Sequence, residues 1–313
     1  MSSTEDRVDG LPYHLLQRLG RSGRGWSLLG AVGFAVLTFV GIQATWFLVW
    51  PFARVLGAEV SIDPVSPAGL AWVNLGWAVA ILVAALVVRQ LHRLPPGTLA
   101  SVVGRVRWRW LVTCLGLSVL ALAATIVVAA FLPQQGGAEL SGTVNDLTDR
   151  VVGFVLVVLL LTPLQAAGEE VAFRGYLTQA CGGLVQGSGR WVAVIAVVVP
   201  ASLFALAHGA QDAPIFVDRL AFGLVAGTLV ILTGGLEAGI AMHVLNNFAA
   251  FGLALAFGDM DTALQPTGGT WWSLPATLTQ SLVYLVLVVA VARRSGVETA
   301  AGQGVLERPR GRV

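Results

Sequence analysis

Residues 151–177 read VVGFVLVVLLLTPLQAAGEEVAFRGYL, an apolar stretch that carries two adjacent carboxylates, Glu169 and Glu170, followed by Arg174. About 20 residues at 1.5 Å rise per residue cross the hydrocarbon layer of a bilayer, so this stretch is long enough to do so. A charged side chain near the centre of such a helix costs roughly 2.5–3.5 kcal/mol, and ionisable groups at that depth indicate a functional site. The stretch therefore predicts a membrane helix with a polar site whose partners lie elsewhere in the chain.

The rest of the chain has the composition of a polytopic membrane protein. Of its 313 residues, 56% are hydrophobic and 12% are charged, and the mean hydropathy is +0.79. Apolar windows long enough to be transmembrane helices lie at about 27–50, 67–89, 110–132, 150–168, 191–209, 219–234, 236–257 and 272–292. The expected fold class is all-α, with about eight transmembrane helices.

The arginines predict the orientation of these helices. The chain has no lysine, and three of its 19 basic residues, Arg54, Arg150 and Arg219, fall on one side of the predicted membrane, which leaves 16 on the other. Basic residues are retained in cytoplasmic loops, so both termini are expected in the cytoplasm, which requires an even number of spans. The basic flanks favour membrane lipid as a partner, and no nucleic acid is expected. The arginine-, glycine- and alanine-rich composition is typical of a GC-rich bacterium and predicts the plasma membrane.

Helical spacing separates the roles of the two glutamates. Glu170 and Arg174 are at positions i and i+4 with the acid first, which favours an ion pair between them. Glu169 is rotated by about 100° around the helix and faces elsewhere, which leaves it as a candidate general base that activates water. The alternative is that both glutamates belong to an extended ion-pair network at the end of the helix.

Two histidines and an asparagine in later windows are the candidate partners of Glu169. His208 follows Phe204 by four residues and Asn247 follows His243 by four, so each pair shares one face of a helix. His243 and Asn247 are suited to donate hydrogen bonds to an oxyanion. The alternative for Asn247 is an interhelical hydrogen bond worth about 0.6 kcal/mol. We expect these side chains to converge in a mid-depth cavity that opens to the cytoplasm.

Three motifs occur in order on hydrophobic segments. They are E-E-x-x-x-R at 169–174, F-x-x-x-H at 204–208 and H-x-x-x-N at 243–247. Together they resemble the CAAX-protease and bacteriocin-processing (CPBP, or ABI) family of intramembrane proteases, which includes the type II CAAX prenyl endopeptidases. The resemblance covers about residues 150–260 and implies an endopeptidase for a hydrophobic, lipidated or membrane-associated peptide or protein.

The resemblance also implies roles for individual residues. Glu169 with His208 would activate the attacking water, and Glu170 with Arg174 would hold the site together. Catalytically silent immunity or scaffolding proteins of the same fold are the main alternative, and a proton-coupled transporter that uses buried carboxylates is another. The intact motifs disfavour a silent protein, and the absence of repeated broken helices disfavours a transporter.

The resemblance assigns the oxyanion to His243 and Asn247 and leaves the need for a metal open. Relatives are commonly described as metalloproteases, and Glu169, His208 and His243 would be the ligands of a zinc ion. Two histidines and one glutamate form a catalytic zinc set in other proteases, but the H-E-x-x-H motif is absent from this chain. Metal-free hydrolysis and zinc-dependent hydrolysis are therefore both considered, and no other cofactor is expected.

The motifs and the apolar windows divide the chain into five predicted regions. They are a cytoplasmic N-terminal segment (1–25), three accessory transmembrane helices with their loops (26–149), a CPBP-like catalytic core (150–260), the last transmembrane helix (261–294) and a disordered cytoplasmic tail (295–313).

Overall fold

The computed structural model describes residues 10–132, 143–209, 211–266 and 268–302, and this part of the chain is built almost entirely of helices. The α-helices are α1 (Arg24–Val55), α2 (Pro67–Gln90), α3 (Trp108–Ala129), α4 (Asp149–Glu170), α5 (Thr178–Leu184), α6 (Arg190–Leu206), α7 (Ala213–Thr233), α8 (Glu237–Phe257), α9 (Met260–Leu264) and α10 (Ser273–Arg294). Two 3₁₀ helices, Tyr13–Leu19 and Pro96–Leu99, and a π-helical turn, Val171–Leu177, complete them. The expected all-α class is confirmed.

Seven helical segments in the described ranges are long and apolar enough to cross a membrane. They are α1, α2, α3, the continuous segment Asp149–Leu184, α7, α8 and α10. The predicted window 191–209 forms α6, which has 17 residues and is shorter than the others. This helix ends early because Gly209 adopts a left-handed φ of 78° and Pro214 then opens α7. The expected count of eight thus becomes seven long helices and one short one.

The outer surface of the described helices is strongly apolar. Large side chains such as Phe39, Phe47, Leu48 and Leu160 are between 65% and 77% exposed. Soluble proteins rarely expose contiguous apolar surface of this extent, whereas a lipid environment favours it. The chain is a multi-pass membrane protein.

The two described ends of the chain lie together. Strand β1 (Leu11–Pro12) pairs antiparallel with strand β2 (Ala300–Ala301). The guanidinium of Arg18 then donates to the carbonyls of Gly182 and Val185 at 2.7 Å, which fixes the N-terminal 3₁₀ helix against the end of α5. Residues 300–301 are therefore paired rather than disordered, unlike the expectation for the tail, while residues 303–313 lie outside the described ranges.

Glycines allow the helices around α4 to approach closely. A Cβ atom on Gly168 would lie 2.1 Å from the backbone oxygen of Trp77 on α2. On the other side of α4, a Cβ atom on Gly239 of α8 would lie 2.6 Å from Oε2 of Glu170. Small residues bring backbones together in membrane bundles. Helix α4 is consequently held between α2 and α8, with its two glutamates next to α8.

The start of α8 is anchored by a buried ion pair. Helix α7 ends at Gly234, which adopts a left-handed φ of 67°, and Leu236 then donates its N–H to the carbonyl of Ala100. Glu237, the first residue of α8, accepts from Nη2 of Arg107 at 2.7 Å. These contacts set the position of His243, which lies six residues, or about 9 Å, along the helix.

Candidate active site

The ion pair expected from the spacing of Glu170 and Arg174 is present. Nη1 of Arg174 lies 3.0 Å from Oε1 of Glu170, and both side chains are at most 1% exposed. Arg174 belongs to the π-helical turn that continues α4, a local widening that often occurs at functional sites. Its guanidinium also lies over the ring of Phe204, 4.1 Å from the centroid, and 5.6 Å from the ring centroid of Phe222. The carboxylate and the two aromatic faces together compensate this buried cation.

His243 lies between the two glutamates. Its Nδ1 atom is 3.0 Å from Oε1 of Glu170, and its Nε2 atom is 3.6 Å from Oε2 of Glu169. The ring is also enclosed by Phe204 and Phe222, with centroid separations of 6.0 and 5.2 Å and edge-to-face geometry. Since a carboxylate only accepts hydrogen bonds, Glu170 holds the proton of His243 on Nδ1. The Nε2 atom of His243 is thereby directed towards Glu169.

The carboxylate of Glu169 is buried, and only one of its two oxygens accepts a hydrogen bond from a described residue. Its Oε1 atom accepts a hydrogen bond from Nε2 of Gln165 at 2.5 Å. Its Oε2 atom has no hydrogen-bond partner among the residues that the structure describes. The side chain is 5% exposed. A buried acceptor without a partner is costly, and such groups occur where a ligand or a reaction uses them.

Asn247 is connected to Glu169 by two hydrogen bonds through Gln165. Its Nδ2 atom donates to Oε1 of Gln165 at 3.0 Å, and the amide of Gln165 then donates to Glu169. Gln165 was not among the predicted site residues, although it lies four residues before Glu169 on α4 and therefore on the same helix face. That spacing within an apolar helix is the signal that points to it.

His208 is the exposed member of the group. It follows α6, and its Nδ1 atom lies 2.8 Å from the carbonyl oxygen of Phe204. A carbonyl accepts hydrogen bonds, so the proton of a neutral ring is on Nδ1 and Nε2 is free to accept one. The charge of Glu169 acts on His208, but no direct hydrogen bond joins the two side chains. The structure therefore brings five predicted residues into a buried cluster and places His208 at its edge.

The exposed edge lies away from the paired ends of the chain. Helix α6 starts at Arg190, close to the end of α5, and runs for about 25 Å before His208. Beyond it, the carboxylate of Asp212 accepts hydrogen bonds from the N–H groups of Gly268 and Gly269, in the loop before α10. The opening to the cytoplasm that the sequence predicts stays a prediction, and the structure places the exposed side chain of His208 on this side of the cluster.

The arrangement of possible metal ligands can be compared with a zinc site. Glu169 and His243 approach each other as two ligands of one ion would, but His208 does not join them. Among the residues of the described ranges, no group of three or more His, Cys, Asp or Glu side chains is placed to hold a metal. Catalytic zinc sites use three protein ligands. The side chains as arranged do not fit a catalytic zinc site with three protein ligands.

The fold and the cluster define a multi-pass membrane protein with a buried glutamate–histidine site. Residues 151–249 match the protein family described as type II CAAX prenyl endopeptidase Rce1-like, and they form a domain of this CPBP family. The description of that family is that of an endopeptidase.

One curated relative and the solved structures complete the comparison. The chain is 29% identical over 104 residues to "Uncharacterized protein YyaK" of Bacillus subtilis (strain 168). The match covers 31% of this chain and 33% of that protein, so the chain spans about a third of the relative's length. No solved structure matches the chain.

Proposed function

We propose that this protein is an intramembrane endopeptidase that hydrolyses a peptide bond in a hydrophobic, lipidated or membrane-associated peptide or protein. One observation carries the proposal. Both glutamates are buried, and each has an Oε2 atom without a hydrogen-bond partner among the described residues. Glu170 is ion-paired with Arg174, whereas no arginine of the described ranges is paired with Glu169. A carboxylate left in this state is available to a water molecule and can act as its base.

Glu169 begins the reaction in this mechanism. Its Oε2 atom removes a proton from water, and the resulting hydroxide attacks the carbonyl carbon of the scissile bond. Gln165 holds the other oxygen of the carboxylate and so fixes the direction of Oε2. His208, with a free Nε2 atom at the exposed edge, accepts a hydrogen bond from the same water and orients it.

His243 and Asn247 then stabilise the oxyanion. With Nδ1–H directed at Glu170, a neutral His243 has no proton on Nε2, so it donates to the oxyanion only as the imidazolium. The Glu170 carboxylate stabilises that charged form. Asn247 supplies a second N–H, because only one of its two amide protons is used by Gln165.

The last step releases the amine. The proton taken up by Glu169 passes to the nitrogen of the scissile bond, the C–N bond breaks, and the carboxylate of Glu169 is restored. Glu170 and Arg174 take no proton in this scheme and keep His243 in place.

Purified protein in detergent tests the proposal with a library of hydrophobic and lipidated peptides. The wild type is expected to cleave a subset of them, and Glu169→Ala and His208→Ala are expected to lose this cleavage. Leu164→Ala, which changes an exposed apolar residue on the same helix as Glu169, is the matched control. Equal product from all four proteins would contradict the proposal. A folded wild type that cleaves nothing would favour the silent immunity or scaffolding alternative.

A separate measurement tests whether the activity requires a metal ion. Glutamate-activated hydrolysis predicts that activity survives exhaustive chelation and that elemental analysis finds no stoichiometric zinc. Loss of activity on chelation that is restored by zinc would instead assign Glu169, His208 and His243 to a metal.

We further propose that both termini lie in the cytoplasm of a bacterial cell and that α6 is the eighth span, in the plasma membrane. The excess of 16 arginines against three supports this orientation, and the pairing of β1 with β2 supports an even number of crossings. A reporter fused after Gly268 is then expected outside the cell. A cytoplasmic signal at that position would contradict the eight-span topology.

A further inference from the structure

Arg219 lies on α7 near the buried cluster, and Gln211 contacts it from the segment that precedes this helix. Arg219 precedes Phe222 by three residues, and the Phe222 ring contacts both His243 and Arg174. Residues at i and i+3 share a helix face, so Arg219 faces the site one turn nearer to the start of α7. The exposed side chain of His208 comes shortly before that turn in the chain.

The guanidinium of Arg219 is held in place from one side. Nε2 of Gln211 donates to the carbonyls of Ala205 at 2.6 Å and Gly209 at 3.3 Å, which fixes the amide. Oε1 of Gln211 then accepts from Nη1 of Arg219 at 2.6 Å. Gln211 is the one hydrogen-bond acceptor of this guanidinium in the described part of the chain. An arginine has five N–H donors, so most of them stay available.

Two carboxylates influence the charge of Arg219. The neighbouring Asp218 has the larger effect and Glu169 the second, although neither is within ion-pair distance of the guanidinium in the described part of the chain. The guanidinium is half-buried. It therefore lacks a bidentate anionic partner among the described residues.

We propose, building on the proposed peptidase function, that Arg219 determines specificity by binding a carboxylate of the substrate next to the scissile bond. A guanidinium binds a carboxylate through two parallel hydrogen bonds, and Gln211 occupies only one of its edges. The carboxylate is either the C-terminus of the peptide or the side chain of an Asp or Glu residue. In both cases the peptide enters beside His208 and Gln211, and its charged group is fixed before Glu169 acts.

Matched peptides and variants of the full-length protein test this inference. The peptides share one cleavable sequence and carry a free C-terminus, an amidated C-terminus, or an amidated C-terminus with Glu substituted at each position in turn. The wild type is expected to show at least tenfold higher kcat/KM for one carboxylate-bearing series than for the neutral amide, mainly through KM. Arg219→Gln is expected to remove this preference, so that its kcat/KM is the same for the carboxylate-bearing peptides and the neutral amide. Arg219→Lys keeps part of the preference, because it retains the charge without the planar pair of donors.

Arg190→Gln is the control, since it removes an exposed arginine at the opposite end of α6. This variant should retain the full preference. Equal kcat/KM of the wild type for charged and neutral peptides, or a preference that survives in Arg219→Gln, would overturn the assignment of Arg219.

Peptide binding separates this inference from the peptidase proposal. Fluorescence anisotropy with labelled forms of the same peptides is expected to show weaker binding of the carboxylate-bearing peptide to Arg219→Gln and unchanged binding of the neutral amide. If no peptide is cleaved but this difference in binding is present, the peptidase proposal fails and the role of Arg219 stands. If peptides are cleaved but binding is identical in both proteins, the role of Arg219 fails alone.

Discussion

The Nδ1 atom of His243 lies 3.0 Å from the Oε1 atom of Glu170, the same oxygen that Arg174 contacts. This contact orders α4 and α8 relative to each other, and it makes the two adjacent glutamates chemically different. Glu170 contacts both His243 and Arg174 at 3.0 Å, whereas Glu169 lies 3.6 Å from His243 and is paired with no arginine among the described residues. The predictions below follow from that difference and from the side chains that maintain it.

Glu169→Gln is expected to abolish cleavage while leaving the protein stable. The glutamine retains an oxygen that accepts from Gln165, but it cannot remove a proton from water, and loss of general base catalysis costs about 10²–10⁴-fold in rate. Cleavage rate and the thermal unfolding midpoint in detergent should be measured on the same preparation. A variant that keeps more than a tenth of the wild-type rate would show that another group is the base.

Glu170→Gln is expected to unfold more easily than Glu169→Gln. It leaves the guanidinium of Arg174 buried without its carboxylate, and breaking one partner of a buried ion pair costs about 3–5 kcal/mol. Denaturant unfolding in mixed micelles measures the difference. Arg174→Met combined with Glu170→Gln should recover part of the loss, because it removes the uncompensated cation. Equal unfolding free energies for the two single variants would contradict the separation of roles.

Gly239→Ala is expected to lower activity without unfolding the protein. The added Cβ atom would lie 2.6 Å from Oε2 of Glu170, and that carboxylate cannot move without weakening its contacts with His243 and Arg174. Misplacement of catalytic groups by about 1 Å can cost on the order of 100-fold in rate. Gly252→Ala on the same helix is the control, because nothing lies within 4 Å of its added Cβ atom. A Gly239→Ala variant as active as Gly252→Ala would show that Glu170 can be displaced freely.

Gln165→Met is expected to reduce kcat with little change in KM. The substitution keeps the volume of the side chain but leaves Oε1 of Glu169 and Nδ2 of Asn247 without their partners. An unsatisfied buried polar group costs about 1–3 kcal/mol, which corresponds to roughly a tenfold to hundredfold loss of rate. Leu164→Met, at the exposed neighbouring position, is the control. A change confined to KM would indicate that Gln165 contacts substrate instead of positioning Glu169.

Stability is expected to fall as the pH is lowered from 7 to 5. Burial lowers the pKa of His14 from 6.5 to about 4 and also lowers the pKa of His92, and both residues lie outside the membrane helices. The unfolded chain therefore takes up protons below pH 6.5 that the folded chain does not bind. The contribution of these two histidines to the free energy of unfolding is full above pH 6.5, and it is lost as the pH falls towards their pKa values in the folded protein. Unfolding midpoints across this range provide the measurement, and a double variant, His14→Gln with His92→Gln, should show a flatter pH dependence.

His92 also shows how the N-terminal segment supports the site. Its Nδ1 atom lies 2.8 Å from the carbonyl oxygen of Arg21, so the proton is on Nδ1. Its Nε2 atom, which has one lone pair to accept a hydrogen bond, lies 2.9 Å from the hydroxyl oxygen of Tyr176 and 2.8 Å from the amide nitrogen of Gln17. Tyr176 follows Arg174 by two residues in the π-helical turn. This network connects segments far apart in sequence, and helical spacing alone does not predict it.

The membrane helices were largely predictable from sequence, because a span must satisfy its backbone internally and present about 20 apolar residues to lipid. The length of α6 was less predictable. Its apolar window continues to residue 209, but the backbone leaves the helix after Leu206, and Gly209 adopts a left-handed conformation. Hydropathy measures composition and does not register a turn inside an apolar segment. The position of His208, just beyond the end of α6, depends on that turn.

The sequence by itself determined a lipid-embedded helical protein and the ion pair of Glu170 with Arg174, because helix periodicity places residues four apart on one face. It also indicated His208, His243 and Asn247 as partners of the glutamates. Only the tertiary structure decided that His243 bonds to Glu170, that Gln165 joins Asn247 to Glu169, and that Gln211 accepts a hydrogen bond from Arg219. These relationships depend on how α4, α6, α7 and α8 pack, and contacts between helices are set by side-chain shape and close backbone approach, not by the spacing within any one of them.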